Sequence, residues 1–237
     1  KHTPNLAGAP IPISAPDAVA SSLGKYSSFD LGRGCPFECS FCTIINVQGR
    51  KSRFRSPDDL EKIVRENAAR GITKFFLTDD NFARNKHWEP LVDRLLELRD
   101  QGLAITYAVQ VDTLAHRIPR FIEKVCASGA NQIFIGLENI NSDNLEAAKK
   151  RQNRIEEYRE MHERIREWLP EGAVTRDFIV GFSGETDEDF EMSCDLVREC
   201  RFKNSFIFKY SVRPGTKGAD LYADDIPEET KRLRNNE

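Results

Sequence analysis

The chain of 237 residues lacks several features that would assign it to a common class of protein. It has no run of about 18 apolar residues, so we expect no helix that spans a membrane. It has no charged-then-apolar leader of the kind that directs secretion. Its formal net charge is only −3, which argues against a strong field for nucleic acid or membrane surfaces. The length suits one sizeable hydrophobic core better than two.

Cysteines are few but clustered, since Cys35, Cys39 and Cys42 stand in a CxxxCxxC pattern. Thiolates are soft ligands suited to iron, and a tight loop keeps them convergent. A structural zinc or an electron-transfer cluster normally takes four protein ligands, so three leave one metal open to an external molecule. The spacing alone also allows a zinc knuckle with a distant fourth ligand, a disulfide pair with a spare thiol, or buried cysteines.

Three cysteines clustered as ligands are more typical of a protein in a reducing compartment than of a disulfide scaffold. We therefore expect a cytoplasmic protein. The other three cysteines, Cys126, Cys194 and Cys200, fall on separate predicted helices. They are predicted to pack in the core or at helix ends, because no second cluster can be assembled from them.

Apolar segments alternate with amphipathic helices along most of the chain. Six segments are predicted strands, over residues 26–31, 72–77, 104–111, 132–137, 174–182 and 205–210. The helix after the cysteine loop begins at Ser56 and Pro57, and Ser142 is predicted to cap a long charged helix through Trp168. This alternation predicts an α/β fold with a parallel sheet, either curled into a barrel or doubly wound.

The two ends of the chain differ in composition from its centre. Residues 1–24 carry four prolines and are predicted to form a linker or extended arm. Residues 25–220 form the predicted core, and 221–237 a charged C-terminal tail. Because residue 1 is Lys and the last residues read like the interior of a charged helix, we interpret the chain as a fragment.

The cysteine loop, with aromatic Phe41 just before the last cysteine, resembles the cluster loop of the radical S-adenosylmethionine (SAM) superfamily. The resemblance implies a partial (β/α)6 TIM-like barrel whose first strand delivers the loop. It implies that three cysteines hold a [4Fe–4S] cluster, whose open iron chelates SAM. An electron, here expected from a reductase, then cleaves SAM to a 5′-deoxyadenosyl radical that abstracts hydrogen from the substrate.

The resemblance also assigns polar residues at the ends of the other strands to SAM. Strand two would receive the amino group, strands three and four the ribose and methionyl end, a lysine in the next helix the carboxylate, and strand five the adenine. The residues in that order are Thr78, Asp79 and Asp80; Gln110, Asp112 and Glu138; Lys150; and Ile179 and Gly181. The resemblance also places Phe41 of the cysteine loop among the cofactor-binding residues. Strand alternation puts Gln110 and Asp112 on one face. The alternatives are that the aspartates cap a helix or serve structure, and that Lys150 is solvated.

Two branches of the superfamily compete. Residues 78–82 and 136–139 look most like the cobalamin-dependent branch, whereas 176–220 resemble the methylthiotransferases of tRNA and ribosomal protein. Because no second cysteine cluster can be assembled, we favour the first branch, with methyl transfer or rearrangement at an unactivated carbon. A small-molecule substrate is then expected rather than nucleic acid, with cobalamin bound by a domain outside this chain. An iron–sulfur electron-transfer protein without SAM turnover is the non-enzymatic alternative.

Overall fold

The computed structural model describes residues 6, 8–21, 25–150, 153–200 and 204–237. Its centre is a six-stranded sheet that curls into a half-barrel, and every neighbouring pair of strands is parallel. The order in the sheet equals the order in the chain: β1 (Ser27–Phe29), β4 (Lys74–Leu77), β5 (Thr106–Val111), β6 (Ala130–Glu138), β7 (Ala173–Val180) and β8 (Asn204–Lys209). A short antiparallel pair, β2 (Gly32–Arg33) and β3 (Arg53–Phe54), flanks the cysteine loop. The predicted partial barrel is therefore confirmed.

Helices connect the strands. They are α1 (Pro16–Ser21), α2 (Ile44–Val47), α3 (Pro57–Ala68), α4 (Trp88–Asp100), α5 (Phe121–Ala127), α6 (Ser142–Ala147), α7 (Ile155–Trp168), α8 (Asp187–Cys200), α9 (Lys217–Leu221) and α10 (Glu228–Asn236). Two 3-10 helices, Phe82–Arg84 and Thr113–Arg117, follow β4 and β5. None of the helices within the described ranges has both the length and the apolar character needed to cross a membrane.

The start of α3 is formed as the sequence predicts. The Ser56 hydroxyl accepts from the Asp59 amide at 3.1 Å, and the Asp59 carboxylate accepts from the Ser56 amide at 3.2 Å. Such reciprocal capping satisfies two donors that the first helical turn leaves unpaired. Leu60, Ile63 and Val64 then face the core and are fully buried. Burial of each side chain stabilises the folded state by roughly 1.5–3 kcal/mol.

The charged stretch from residue 142 to 168 is two helices, not the single helix predicted. Asn141, rather than Ser142, is the N-cap of α6, because its side chain accepts from the amides of Asp143 and Asn144 at 2.8 and 3.1 Å. The helix ends at Ala147, and the chain then runs to Asn153, whose side-chain amide donates to the Leu137 carbonyl at 2.8 Å. Charge patterning does not reveal this tie to the end of β6.

Both predicted ends pack against the barrel. In the arm, α1 is helical, Leu6 is buried, and the Ser14 amide donates to the Asn67 side chain at 3.1 Å. Residues 1–5, 7 and 22–24 lie outside the described part of the chain. In the predicted tail, α10 buries Lys231, which donates to the Tyr210 carbonyl at 3.2 Å. Composition alone indicated neither packing contact.

Candidate functional site

The cysteine loop is held in place at both ends. It leaves β2 through Gly34, which has φ +91°, and a Cβ there would lie 2.5 Å from the Lys51 carbonyl oxygen. Only glycine fits this conformation and this close approach. On the far side of the loop, the Arg50 guanidinium donates twice to the Pro36 carbonyl, at 3.2 and 3.0 Å, and pairs with Glu38. The loop is thus anchored to the β2 and β3 pair.

The three cysteines open into a cavity of about 160 Å³ at the carboxyl end of the barrel strands. Residues from β5, β6 and β7 and the loops after β4 and β6 complete its wall, so the fold gathers side chains that are far apart in sequence. The cavity contains nine of the predicted site residues: Cys35, Cys39, Phe41, Cys42, Asp80, Gln110, Asp112, Glu138 and Lys150. Gln110 and Asp112 share one face, as strand alternation predicts.

Asp79 and Thr78 lie outside this cavity. The Asp79 side chain is buried and accepts from the Leu31 amide at 2.7 Å and from the Asn85 side chain at 3.3 Å. Burial, the largest effect, raises its pKa to about 7. Thr78 instead borders a separate cavity beneath the N-terminal arm. Asp79 therefore fixes the chain that follows β1, and the expected contact of Asp79 and Thr78 with the amino group of SAM stays a prediction.

Ile179 and Gly181 do not line the cavity that contains the cysteines. Gly181 has φ +72°, and a Cβ there would lie 2.4 Å from the Lys231 side chain, so α10 occupies the space above it. Its amide donates to the Glu185 carboxylate at 2.6 Å. Ile179 and Phe41 both pack on a small cluster formed by Ala148, Phe182 and Tyr210. The expected contact of these two residues with the adenine of SAM stays a prediction.

Glu138 and Lys150 form an ion pair in the wall of the cavity. Their side chains are 16% and 8% exposed, and the Lys150 ammonium also donates to the Gly136 carbonyl at 3.1 Å. Burial lowers the pKa of Lys150. Lys150 follows α6 rather than lying within a helix, and it faces the Phe41 ring at 5.9 Å. Glu138 has φ +60°, a left-handed conformation that costs a non-glycine residue roughly 1–2 kcal/mol.

Three residues that support the site were not predicted. Asn153 donates to the Gly136 and Leu137 carbonyls at 3.0 and 2.8 Å and so holds the end of β6. Arg84 grips Asp112 with two bonds of 2.6 Å, and Asn81 donates to Asp112 at 3.0 Å. Asn81 lay within a motif that the sequence analysis singled out, whereas nothing in the sequence distinguished Arg84 or Asn153. The Asp112 carboxylate is thus fully engaged within the protein.

The separation of the three cysteine thiols bears on which metal group they can hold. The three cysteine thiols do not form a set whose ligand atoms all lie within 4.8 Å of one another. Zinc–sulfur bonds of about 2.3 Å require ligands closer than that, so the loop as folded does not match a single zinc ion. Three thiols on one loop suit a cluster that takes one thiolate per iron. Burial, the largest effect, raises the pKa of Cys35.

A buried oxygen atom in the cavity wall bears on the binding of SAM. The side-chain oxygen of Asn81 is buried at the cavity wall and has no hydrogen-bond partner. A buried acceptor without a partner costs about 1–3 kcal/mol, and an ammonium group from a ligand would satisfy it. The lining groups are therefore of the types that an iron–sulfur cluster and the amino group of a ligand require.

The remaining cysteines do not form a second site within the described residues. Cys126 packs against the core on α5, where burial raises its pKa to about 12, and Cys200 is buried at the end of α8. Cys194 borders an apolar groove between α8 and α10. This agrees with the prediction that they serve packing.

Comparison with known proteins identifies the class. Residues 30–197 match the Radical SAM superfamily, so the chain belongs to this superfamily, whose members bind a [4Fe–4S] cluster and SAM. A tRNA-2-methylthio-N(6)-dimethylallyladenosine synthase of Rhodopirellula baltica is 37% identical over 215 residues, 86% of this chain and 44% of the relative. The enzyme of the same name from Mycobacterium avium is 32% identical over 89% of this chain and 30% of the relative. The chain thus spans less than half the length of these relatives.

Solved structures confirm the fold. The radical SAM methyltransferase TsrM from Kitasatospora setae, with cobalamin and a [4Fe–4S] cluster bound, superposes with a TM-score of 0.72 at 18% identity, over 82% of this chain and 38% of that one. Coproporphyrinogen III oxidase from Escherichia coli gives a TM-score of 0.64 at 17% identity, over 89% and 50%. At these identities the likeness concerns the fold alone.

Proposed function

We propose that this chain is the radical-generating segment of a methylthiotransferase that modifies an adenosine of tRNA. The observation that carries the proposal is the convergence of three thiols, the Asn81 oxygen and the Glu138–Lys150 pair in one cavity. Likeness to tRNA-modifying enzymes over most of the chain supports this reaction. The proposal replaces the expected small-molecule substrate and cobalamin-dependent branch, because the likeness to the cobalamin enzyme is confined to the fold.

Each side chain has a role in this proposal. Cys35, Cys39 and Cys42 would hold the cluster, which supplies the electron that cleaves SAM. The Asn81 oxygen would accept a hydrogen bond from the amino group of SAM. The Lys150 ammonium, fixed by Glu138 and the Gly136 carbonyl, would attract the carboxylate of SAM by a charge-assisted hydrogen bond.

An aromatic wall leads outward from the cavity and supports a nucleobase as the substrate. Phe134 lines the cavity and stacks on Phe206, with ring centroids 6.1 Å apart and planes at 21°. Phe206 and Phe208 lie two residues apart on β8 and are 47% and 53% exposed. Unstacked RNA bases bind on such aromatic faces. A base stacked on Phe206 would lie beside the cavity that contains the cysteines. Stacking of this kind does not require a strongly basic surface.

The test is anaerobic reconstitution with iron and sulfide, reduction, and chromatography of 5′-deoxyadenosine released from SAM. We expect product from the wild type and from Cys126→Ala, and none from Cys39→Ala. Addition of tRNA that carries N6-dimethylallyladenosine should stimulate this release, whereas unmodified tRNA should not. Formation of the methylthio nucleoside also needs a sulfur donor, so it is measured by mass spectrometry with the full-length protein.

Other outcomes separate the alternatives. SAM turnover that requires cobalamin and is unaffected by tRNA would favour the cobalamin-dependent branch. A cluster that assembles but never yields 5′-deoxyadenosine, even with full-length protein, would favour an iron–sulfur electron-transfer protein.

A further inference from the structure

A second group of ligand-type side chains lies on the outer side of the barrel, between the 3-10 helix Thr113–Arg117 and α7. The His116 Nε2 atom is 3.3 Å from Glu157 Oε2 and 3.5 Å from Glu160 Oε2. One ligand atom from each of the three residues lies within 4.8 Å of the other two. Neither the radical chemistry nor the cysteine cavity uses these residues.

The histidine is oriented with its lone pair toward the carboxylates. Its side chain is only 2% exposed, and its Nδ1 atom lies 2.8 Å from the Thr113 carbonyl oxygen. A carbonyl can only accept, so Nδ1 carries the hydrogen and Nε2 of the neutral ring is an acceptor. Both Nε2 and Glu157 Oε2 are buried without a hydrogen-bond partner. Buried acceptors that face one another require a proton or a cation between them.

We propose that His116, Glu157 and Glu160 bind a divalent metal ion of the zinc class. Two bonds of about 2.1 Å at the tetrahedral angle place ligand atoms about 3.4 Å apart, and the observed separations are 3.3 and 3.5 Å. The bond from Nδ1 to a backbone carbonyl is the usual device that orients a metal-binding histidine. Imidazole with two carboxylates suits zinc and leaves a fourth position for water.

The charged side chains near His116 are paired with one another, and the neighbouring cavity is not lined by Glu157 or Glu160. His116 borders a cavity of about 220 Å³ that also meets Arg120, Arg164 and Glu167. The two arginines pair with Glu123 and Glu167 respectively, so their charge is balanced locally. Arg117 pairs with the other carboxylate oxygen of Glu157, Oε1, rather than with Oε2.

The ion would clamp α7 to the segment that carries a residue of the cysteine cavity. Asp112 caps the 3-10 helix that ends at Arg117, because its carboxylate accepts from the Leu114 amide at 2.8 Å. A bond from His116 to α7 would therefore hold Asp112 in register. The expected role is structural, since His116, Glu157 and Glu160 lie outside the cysteine cavity.

The test measures zinc in protein whose cysteine loop is already loaded with its cluster, so that thiols do not compete. After equilibrium dialysis against Zn²⁺ and elemental analysis, we expect one zinc per wild-type chain and a rise in the thermal unfolding temperature. His116→Gln and Glu157→Gln should bind zinc at least about tenfold more weakly. His162→Gln and Glu156→Gln make the same changes on α7 outside the group and should bind as the wild type does.

Glu160→Gln covers the case in which the buried substitutions disturb folding, because the Glu160 side chain is 61% exposed. It should fold normally and lose the zinc-dependent rise in unfolding temperature. Equal zinc content in the wild type, His116→Gln and Glu160→Gln would overturn the proposal. So would an absence of zinc binding together with an NMR signature of a doubly protonated His116 ring, since a proton would then bridge the carboxylates. Neither result depends on SAM cleavage, so this proposal and the proposed function can fail separately.

Discussion

Replacing Asp79 by alanine separates a structural role from a ligand-binding one. The sequence predicts a contact with SAM, whereas the buried carboxylate accepts from the Leu31 amide at 2.7 Å and from Asn85 at 3.3 Å. These bonds connect the end of β4 to the chain that enters the cysteine loop. The substitution should therefore destabilise the protein even when no cluster or SAM is bound.

The magnitude follows from the lost partners of Asp79. A buried amide left unpaired costs about 1–3 kcal/mol, and the Asn85 side chain loses a second bond of about 0.5–1.5 kcal/mol. Relief from burying the carboxyl group offsets part of this cost, so we expect a net loss of about 2–3 kcal/mol. Urea unfolding of the cluster-free protein measures it. Asp58→Ala, whose side chain is 79% exposed, is the matched control.

Unchanged stability of Asp79→Ala, together with SAM affinity that falls by calorimetry while iron content stays full, would refute this reasoning. Asp79 would then be a SAM contact, as the motif predicts. A loss of stability accompanied by low iron content agrees with the structure, since a loosened loop cannot hold its cluster.

The same carboxyl group predicts a pH dependence. Burial raises the pKa of Asp79 to about 7 in the folded protein, against 3.8 for the ordinary group. The native state thus binds this proton more tightly, and the stabilisation is complete below pH 3.8. It is lost as the pH rises toward about 7, because the unfolded chain ionises first. Asp79→Asn should lack this component, so the difference in unfolding free energy between wild type and variant should change over that window and level off above it.

Three further substitutions test other parts of the site and fold. Glu138→Ala should weaken SAM binding by calorimetry more than it lowers iron content, because it removes the partner that orients a buried lysine; equal losses would contradict this. Arg234→Ala should lower the free energy of unfolding by about 3–5 kcal/mol, since Glu185 would remain buried without its 2.6 Å partner, whereas the exposed Arg232→Ala should be nearly neutral. Phe206→Ala should reduce RNA-dependent turnover but leave stability and RNA-independent SAM cleavage unchanged; unaltered RNA dependence would count against the aromatic wall.

The parts of the molecule that sequence could predict are those encoded locally. The Ser56 cap and the three-cysteine spacing each depend on residues close together in the chain. Strand positions were predicted to within a few residues for the same reason. The sequence did not reveal contacts between residues far apart in the chain, such as that of Asn153, which lies between α6 and α7 and donates to the Leu137 carbonyl at the end of β6.

The same distinction between local sequence and long-range contacts applies to the candidate site. The order of strands, the parallel sheet and the identity of the three thiols were determined by the sequence, because hydrophobic periodicity and ligand spacing act over short distances. Tertiary structure alone decided that Asp79 accepts from the Leu31 amide, that Lys150 pairs with Glu138, and that His116 meets Glu157 and Glu160. Each of these outcomes depends on which groups are buried and on which groups the folded backbone brings within bonding distance. The local sequence determines neither of these.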